Sequence, residues 1–252
     1  HYRVATGVTA NVKYNPLVKT QIIVKVRFAG GYRLFSPAEH ISLQQLAVYD
    51  LRDGGLGKLS AAQADKALSA RTVSFAYDLD EEAATLTGYT TRDSFAAQMQ
   101  LLMAYTTDPG FRPESFDGMK ASLDYVYQQL RGDPGLALDF GLYAWLSGDD
   151  PRYVFPERGQ LEAAKADDFF AIYRRTMRNV PVEVTITGDI REDAALAQIE
   201  KTFANLPQVP ASFTPAAGAG VLKLPVDRTP RVFTHEGRPD QSVSSVIFPA
   251  TG

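Results

Sequence analysis

Residues 21–28 read Gln-Ile-Ile-Val-Lys-Val-Arg-Phe and partly alternate apolar with polar side chains. That period of two predicts a strand with one buried face. A half-buried strand needs partners at its edges and a cover for its apolar side. The rest of the chain supplies both. Val8 to Tyr14 is a second strand pattern, separated from Thr20–Phe28 by the turn signal Asn15-Pro16. Two further runs, near Thr72–Asp78 and Glu82–Thr90, flank the acidic turn Asp78-Leu79-Asp80-Glu81 and predict a hairpin. Val182–Thr187 is another strand, closed by a tight turn at Gly188-Asp189.

Helical patterns supply the cover. Ser36-Pro37 opens a first helix as N-cap and first helical residue, with Leu43, Leu46, Ala47 and Leu51 on one face and Gly54-Gly55-Leu56-Gly57 at its end. Ser60 caps a short helix to Ala70. A long helix spans Asp93–Thr107 until Asp108-Pro109-Gly110 stops it. The next runs from Pro113 to Arg131, with Phe116, Met119, Leu123, Val126 and Leu130 at steps of three and four. Asp133-Pro134 to Ser147-Gly148, Lys165–Arg178 and Glu192–Leu206 complete the set, with a Pro-rich loop at 149–158. Strand hairpins interleaved with paired helices define an α+β class: an antiparallel-rich sheet with helices packed mainly on one face.

Beyond Leu206 the pattern changes. Pro207, Pro210, Pro215, Pro225 and Pro230 bracket Ala216-Ala217-Gly218-Ala219-Gly220, which predicts an extended linker. Arg231–Thr234 and Ser242–Phe248 are strand-like again. The division expected is therefore a domain over 1–207, a linker over 208–230, and a strand-forming start of a further, truncated repeat over 231–252. The chain opens on His1 and stops at Gly252 straight after a strand pattern, so it reads as a piece of something longer. An apolar strand left without its repeat is expected to dock on the first domain's sheet or to pair with a neighbouring molecule.

Composition excludes several functions. There are no cysteines, so disulfide scaffolds, thiolate metal sites and cysteine nucleophiles are ruled out. A net charge of −3 supplies no broad positive field for nucleic acid. No apolar run approaches the ~20 residues of a membrane helix, so no membrane insertion is expected. Single motifs weigh little. Glu39-His40 are helix neighbours about 100° apart, with no second His at four residues. His235-Glu236 reads as a solvated turn. Gly54-Gly55-Leu56-Gly57-Lys58-Leu59-Ser60 lacks the Ser or Thr after Lys58 that a phosphate loop requires, and reads as a helix cap and turn. The acidic run 78–82 lacks the glycine and spacing of a calcium loop. Trp145 and Tyr143 are expected in the core, and Arg174, Arg175 and Arg178 at a helix C-terminus, favourable to its dipole. No G-x-S-x-G elbow occurs.

Order and spacing nonetheless resemble a family. The relevant segments are Val26-Arg27-Phe28-Ala29-Gly30-Gly31, Gly54–Ser60, Arg92-Asp93, Phe111-Arg112-Pro113-Glu114-Ser115-Phe116, Gly188-Asp189, Phe203-Ala204-Asn205-Leu206-Pro207, and Thr234-His235-Glu236-Gly237 leading to Gln241-Ser242. Together they resemble a repeat domain of the pitrilysin/insulinase-type (inverzincin) zinc metallopeptidases, most nearly the third of four copies. The resemblance implies the mitochondrial-processing-peptidase-like metallohydrolase fold, and a clamshell of such domains enclosing a peptide. The family's zinc motif, H-x-x-E-H on the first helix, falls here at about Leu43-Gln44-Gln45-Leu46-Ala47, which holds neither His nor carboxylate. The distant Glu ligand would fall near Asp124–Val126.

The resemblance therefore implies a non-catalytic domain, inactive alone, that forms chamber wall opposite the active half. It implies no catalytic, cofactor-binding or metal-ligating residue in this chain, and zinc only in the catalytic domain of the full-length protein. Other domains of that protein and the enclosed peptide are the expected partners, and a periplasmic location is what the family suggests. The alternative is a stand-alone module that holds extended peptides by strand addition to its sheet edge. An active hydrolase with a site foreign to the family ranks last.

Overall fold

In β3 (Ile22–Ala29), Ile22, Val24, Val26 and Phe28 are fully buried, while Lys25 and Arg27 between them are exposed. β3 is hydrogen-bonded on both sides, antiparallel to β5 (Ala83–Thr90) and to β6 (Val182–Gly188). The computed structural model describes residues 1–37, 49–206, 210–216, 225–227 and 229–248. Its sheet has six strands in the order β1-β2-β6-β3-β5-β4, with β1 (Tyr2–Ala5), β2 (Val8–Tyr14) and β4 (Ala76–Leu79) completing it. Only the β2–β6 pair is parallel. The class is α+β with an antiparallel-rich sheet, as the strand and helix patterns predict.

The helices are α1 (Ala61–Leu68), α2 (Phe95–Thr107), α3 (Pro113–Ala121), α4 (Leu123–Gly132), α5 (Pro134–Ser147), α6 (Arg158–Ala163), α7 (Ala166–Thr176) and α8 (Glu192–Phe203). The expected helix over Ser36–Leu51 falls mostly on residues 38–48, outside the described residues. Where local chemistry is strong, the expected ends hold. Ser60 and Gln63 form a reciprocal capping box on α1. At α5, the Asp133 carboxylate accepts from the Gly135 and Leu136 N–H groups, Pro134 takes the first turn, and Gly148 closes the helix in the left-handed region at φ 64°.

Four readings need correction. β1 and α6 lie where neither a strand nor a helix is expected. The expected 113–131 helix is two helices, broken at Ser122, whose hydroxyl donates to the Met119 carbonyl. Past Leu123 the chain turns outward, leaving Val126 and Leu130 half-buried and Tyr125 exposed. The strand expected from Thr72 begins at Ala76. Side chains hold Thr72 and Ser74 instead: the Ser94 hydroxyl accepts from the Thr72 N–H, and the buried Gln98 amide brackets both backbone groups of Ser74 at 2.9 Å. Gly88 makes room for that amide, since a Cβ there would collide with it.

The apolar sheet face packs against Phe95, Met99 and Leu102 of α2 and Ala195, Ile199 and Phe203 of α8, all at most 5% exposed. A second layer is aromatic. Phe169, Phe170 and Tyr173 of α7 meet Tyr49, Phe111 and Phe116, with ring centroids between 4.3 and 6.4 Å apart. The Gly188-Asp189 turn and the Arg92-Asp93 segment, distant in sequence, lock together. Arg92 Nε donates to the Asp189 carbonyl at 2.6 Å, its Nη2 pairs with the Asp189 carboxylate, and the Thr20 N–H donates to the same carboxylate at 3.0 Å. The Thr20 bond first, and Arg92 with it, hold the Asp189 carboxyl below its usual range.

Burial pushes the phenols of Tyr32 and Tyr105 up to about 12, and those of Tyr77 and Tyr173 further. A phenol whose folded pKa lies above the ordinary value of about 10 contributes stability that is complete below that value. The contribution is lost as pH rises through the folded value. Alkaline unfolding is therefore expected to set in above about pH 10, with one phase of tyrosine ionisation at 295 nm coinciding with loss of helical circular dichroism. Ionisation of all twelve tyrosines in a single step near pH 10, with the circular dichroism intact, would contradict this packing.

Candidate functional site

The second face of the sheet is polar. Register places its side chains in cross-strand rows, one of which runs Arg3, Thr9, Glu183, Arg27, Thr85 across β1, β2, β6, β3 and β5. The next runs Asn11, Thr185, Lys25, Thr87. Threonine suits such rows, because its branched β-carbon fits the pleat while its hydroxyl faces water. The alternation of Lys25 and Arg27 was a visible signal for this face. The placing of Arg3 and Glu183 in one row, with Thr9 between them, was not, because it depends on β1 and on the parallel β2–β6 pair.

One end of this face is walled. Residues 210–216, after α8, turn back so that the Ala216 N–H donates to the Arg33 carbonyl at 2.8 Å and Phe213 lies beneath the Arg33 guanidinium. The cavity so formed, about 440 Å³, is lined by Arg3, Arg27, Arg33, Glu82, Glu183 and Phe213 among others. Arg27 and Glu82 approach only to 3.9 Å, with the Arg27 side chain 44% and the Glu82 side chain 76% exposed.

The motifs singled out in the sequence are structural. In the Gly54–Ser60 segment, the N–H groups of Gly55, Leu56, Gly57 and Leu59 donate to the carbonyls of Arg52, Leu59, Asp108 and Leu56. Arg112 draws in the opposite pole of the loop, donating from Nη1 to the Gly54 carbonyl and from Nη2 to the Gly57 carbonyl at 3.1 Å. A phosphate loop must turn free N–H groups outward; here four are consumed and the carbonyls face a cation. The acidic 78–82 turn is held by Asp80, whose Oδ1 accepts from the Glu82 and Ala83 N–H groups. Arg175 is more than a dipole partner: Nη2 donates to the Leu34 carbonyl, and the guanidinium lies 4.8 Å from the Phe35 ring centre.

The two described histidines are engaged in local contacts. His235 uses both ring nitrogens in its own turn: Nδ1 accepts from the Gly237 N–H at 3.1 Å, and Nε2 lies 3.0 Å from the Gln241 carbonyl. His1 Nδ1 pairs with the Asn11 side chain at 2.7 Å. Glu39-His40 and Leu43–Ala47 lie outside the described residues. Among the described residues no three metal-ligating side chains converge.

Two expectations about the last segment and α5 are corrected. Every described α5 residue is at least partly exposed, Tyr143 by 57%, so neither Tyr143 nor Trp145 is core. Residues 231–237 lie on the helices, not on the sheet, and the stretch Ser242–Phe248, expected as a strand, is irregular and exposed, Val246 by 79% and Phe248 by 81%. Phe233 sits against Gly141, where a side chain would collide with its ring. Arg231 covers the Trp145 ring at 5.6 Å, and the Glu236 N–H donates to the Arg131 carbonyl. The helices offer a glycine notch at Gly141, the half-buried Trp145 indole and the Arg131 carbonyl in the last turn of α4.

No protein-family model and no curated protein sequence matches the chain. Solved structures do. The chain is similar to the ferredoxin protease FusC, solved in complex with Arabidopsis ferredoxin, at 19% identity and a TM-score of 0.61 over 81% of this chain. It is similar to the periplasmic protease PqqL from Escherichia coli at 17% identity, with a TM-score of 0.63 over 85% of this chain. It is also similar to a peptidase M16 inactive domain from Pseudomonas fluorescens, at 16% identity and a TM-score of 0.64 over 84% of this chain. It spans 23% of each of the first two chains and 52% of the third. The fold is therefore that of M16 peptidase domains, the pitrilysin-type fold that the residue pattern resembles.

Replacing Arg112 with Ala removes two charge-assisted bonds to the Gly54–Gly57 loop and is expected to cost about 2 kcal/mol in urea unfolding. An unchanged midpoint and slope would show that the loop holds its shape without that clamp.

Proposed function

We propose that this chain is a non-catalytic domain of a pitrilysin/insulinase-type zinc peptidase, with its open sheet face turned to the enclosed peptide. The observation that carries the proposal is the match of the fold, over 84% of the chain, to a peptidase M16 inactive domain. The sequence supports it, because Leu43-Gln44-Gln45-Leu46-Ala47 stands where that family keeps its ligands. In this reading residues 1–207 are the repeat domain, 208–230 the linker and 231–252 the start of a following repeat. The partners are other domains of the same protein and the peptide itself, with neither nucleic acid nor membrane insertion involved. Among the described residues no helix is long and apolar enough to cross a membrane. The likeness to the periplasmic protease PqqL supports that location here.

The alternative, strand addition by a stand-alone module, has less support. Both edge strands are only four residues long, and β1 carries a register shift between Arg3 and Ala5. Short and irregular edges give a peptide few ladder positions.

Dialysed against zinc, the chain is expected to retain well under one metal ion and to leave unfolded casein intact. Stoichiometric zinc, together with hydrolysis that a chelator stops, would overturn the reading.

A further inference from the structure

The walled end of the open face carries more positive charge than its own contacts use. Three arginines and two glutamates line the cavity, a formal excess of one positive charge. Arg33 is the most committed of them. Its Nε is buried and has no hydrogen-bond partner among the described residues, while its guanidinium is held 5.4 Å from the Phe213 ring centre. A buried donor without an acceptor carries a desolvation cost that a ligand's acceptor can remove. Arg3 makes no ion pair among the described residues, and Arg27 has only the 3.9 Å approach of Glu82. Glu183 stands beside Arg27 in the register, so part of that arginine's charge is already answered.

We propose that this cavity binds the side-chain carboxylate of an acidic residue in a peptide, with Arg33 as the principal donor and Arg3 and Arg27 completing the field. A monoanion matches the net charge of one, whereas a phosphate dianion would also face Glu82 and Glu183. A planar carboxylate suits the guanidinium fork. Phe213 supplies an apolar wall for the ligand's methylenes or an adjacent apolar side chain. A volume of about 440 Å³ takes one such side chain and its neighbour. The proposal rests on the peptide-facing reading of the open face only for the ligand being a peptide rather than a free acid.

The test is calorimetric titration of the 252-residue chain with an N-acetylated, C-amidated octapeptide bearing one Glu next to Phe, against the same peptide with Gln. The Glu peptide is expected to bind about tenfold more tightly, with the difference shrinking as salt is raised. Arg33→Gln should abolish the preference and Arg27→Gln should reduce it. Arg238→Gln, remote on the last segment, should leave it unchanged. Circular dichroism verifies that each variant is folded. Equal affinity for the two peptides, or an undiminished preference in folded Arg33→Gln, would overturn the proposal. So would binding of glutarate without binding of the Glu peptide. The zinc and casein measurements bear on the non-catalytic reading alone, so failure of one proposal is distinguishable from failure of the other.

Discussion

β3 is the constraint from which the rest follows. Antiparallel partners on both edges satisfy its backbone groups, and its four alternate side chains from Ile22 to Phe28 are fully buried. A strand so placed divides the molecule. One face must be covered, and α2 and α8 cover it with side chains that are themselves almost fully buried. The other face, carrying Lys25 and Arg27, stays polar. A one-residue slip of β3 would exchange the faces and place two cations in the core, so register is strongly specified. The Arg92–Asp189 lock, at the end where β6 leaves the sheet, fixes the neighbouring turn in the same register.

Much of this was legible because the signals are local. Asp133, Pro134 and Gly148 set both ends of α5 through chemistry within a few residues, and Ser60 with Gln63 sets the start of α1. The alternation of 21–28 exposed the two faces. What was not legible depends on distant partners. β1 becomes a strand because β2 is beside it; α6 is short and depends on Glu157 and Gln160 capping each other. The segment 72–75 loses its ladder to Gln98, a residue 24 positions away. The break at Ser122 turns on one hydroxyl that the step pattern of Phe116–Leu130 cannot reveal.

The candidate site shows the same division. The outward direction of Arg27 is readable from its neighbours. Its company is not: Arg3, Arg33, Glu183 and Phe213 come from four separate segments, and the parallel β2–β6 pair joins residues more than 170 positions apart. The motifs that looked most chemical, a glycine-rich loop and a His-Glu pair, are spent on holding turns. The polar sheet face with its walled end is the surface on which the proposed peptide contact rests.

The most direct test of that account is site-specific photo-crosslinking. A benzophenone amino acid at Thr85, on the open face, is compared with one at Tyr125, which is 65% exposed on α4. With a labelled acidic peptide, the account predicts crosslinks from position 85 and none above background from position 125. Equal crosslinking from both positions, or crosslinking from 125 alone, would contradict it.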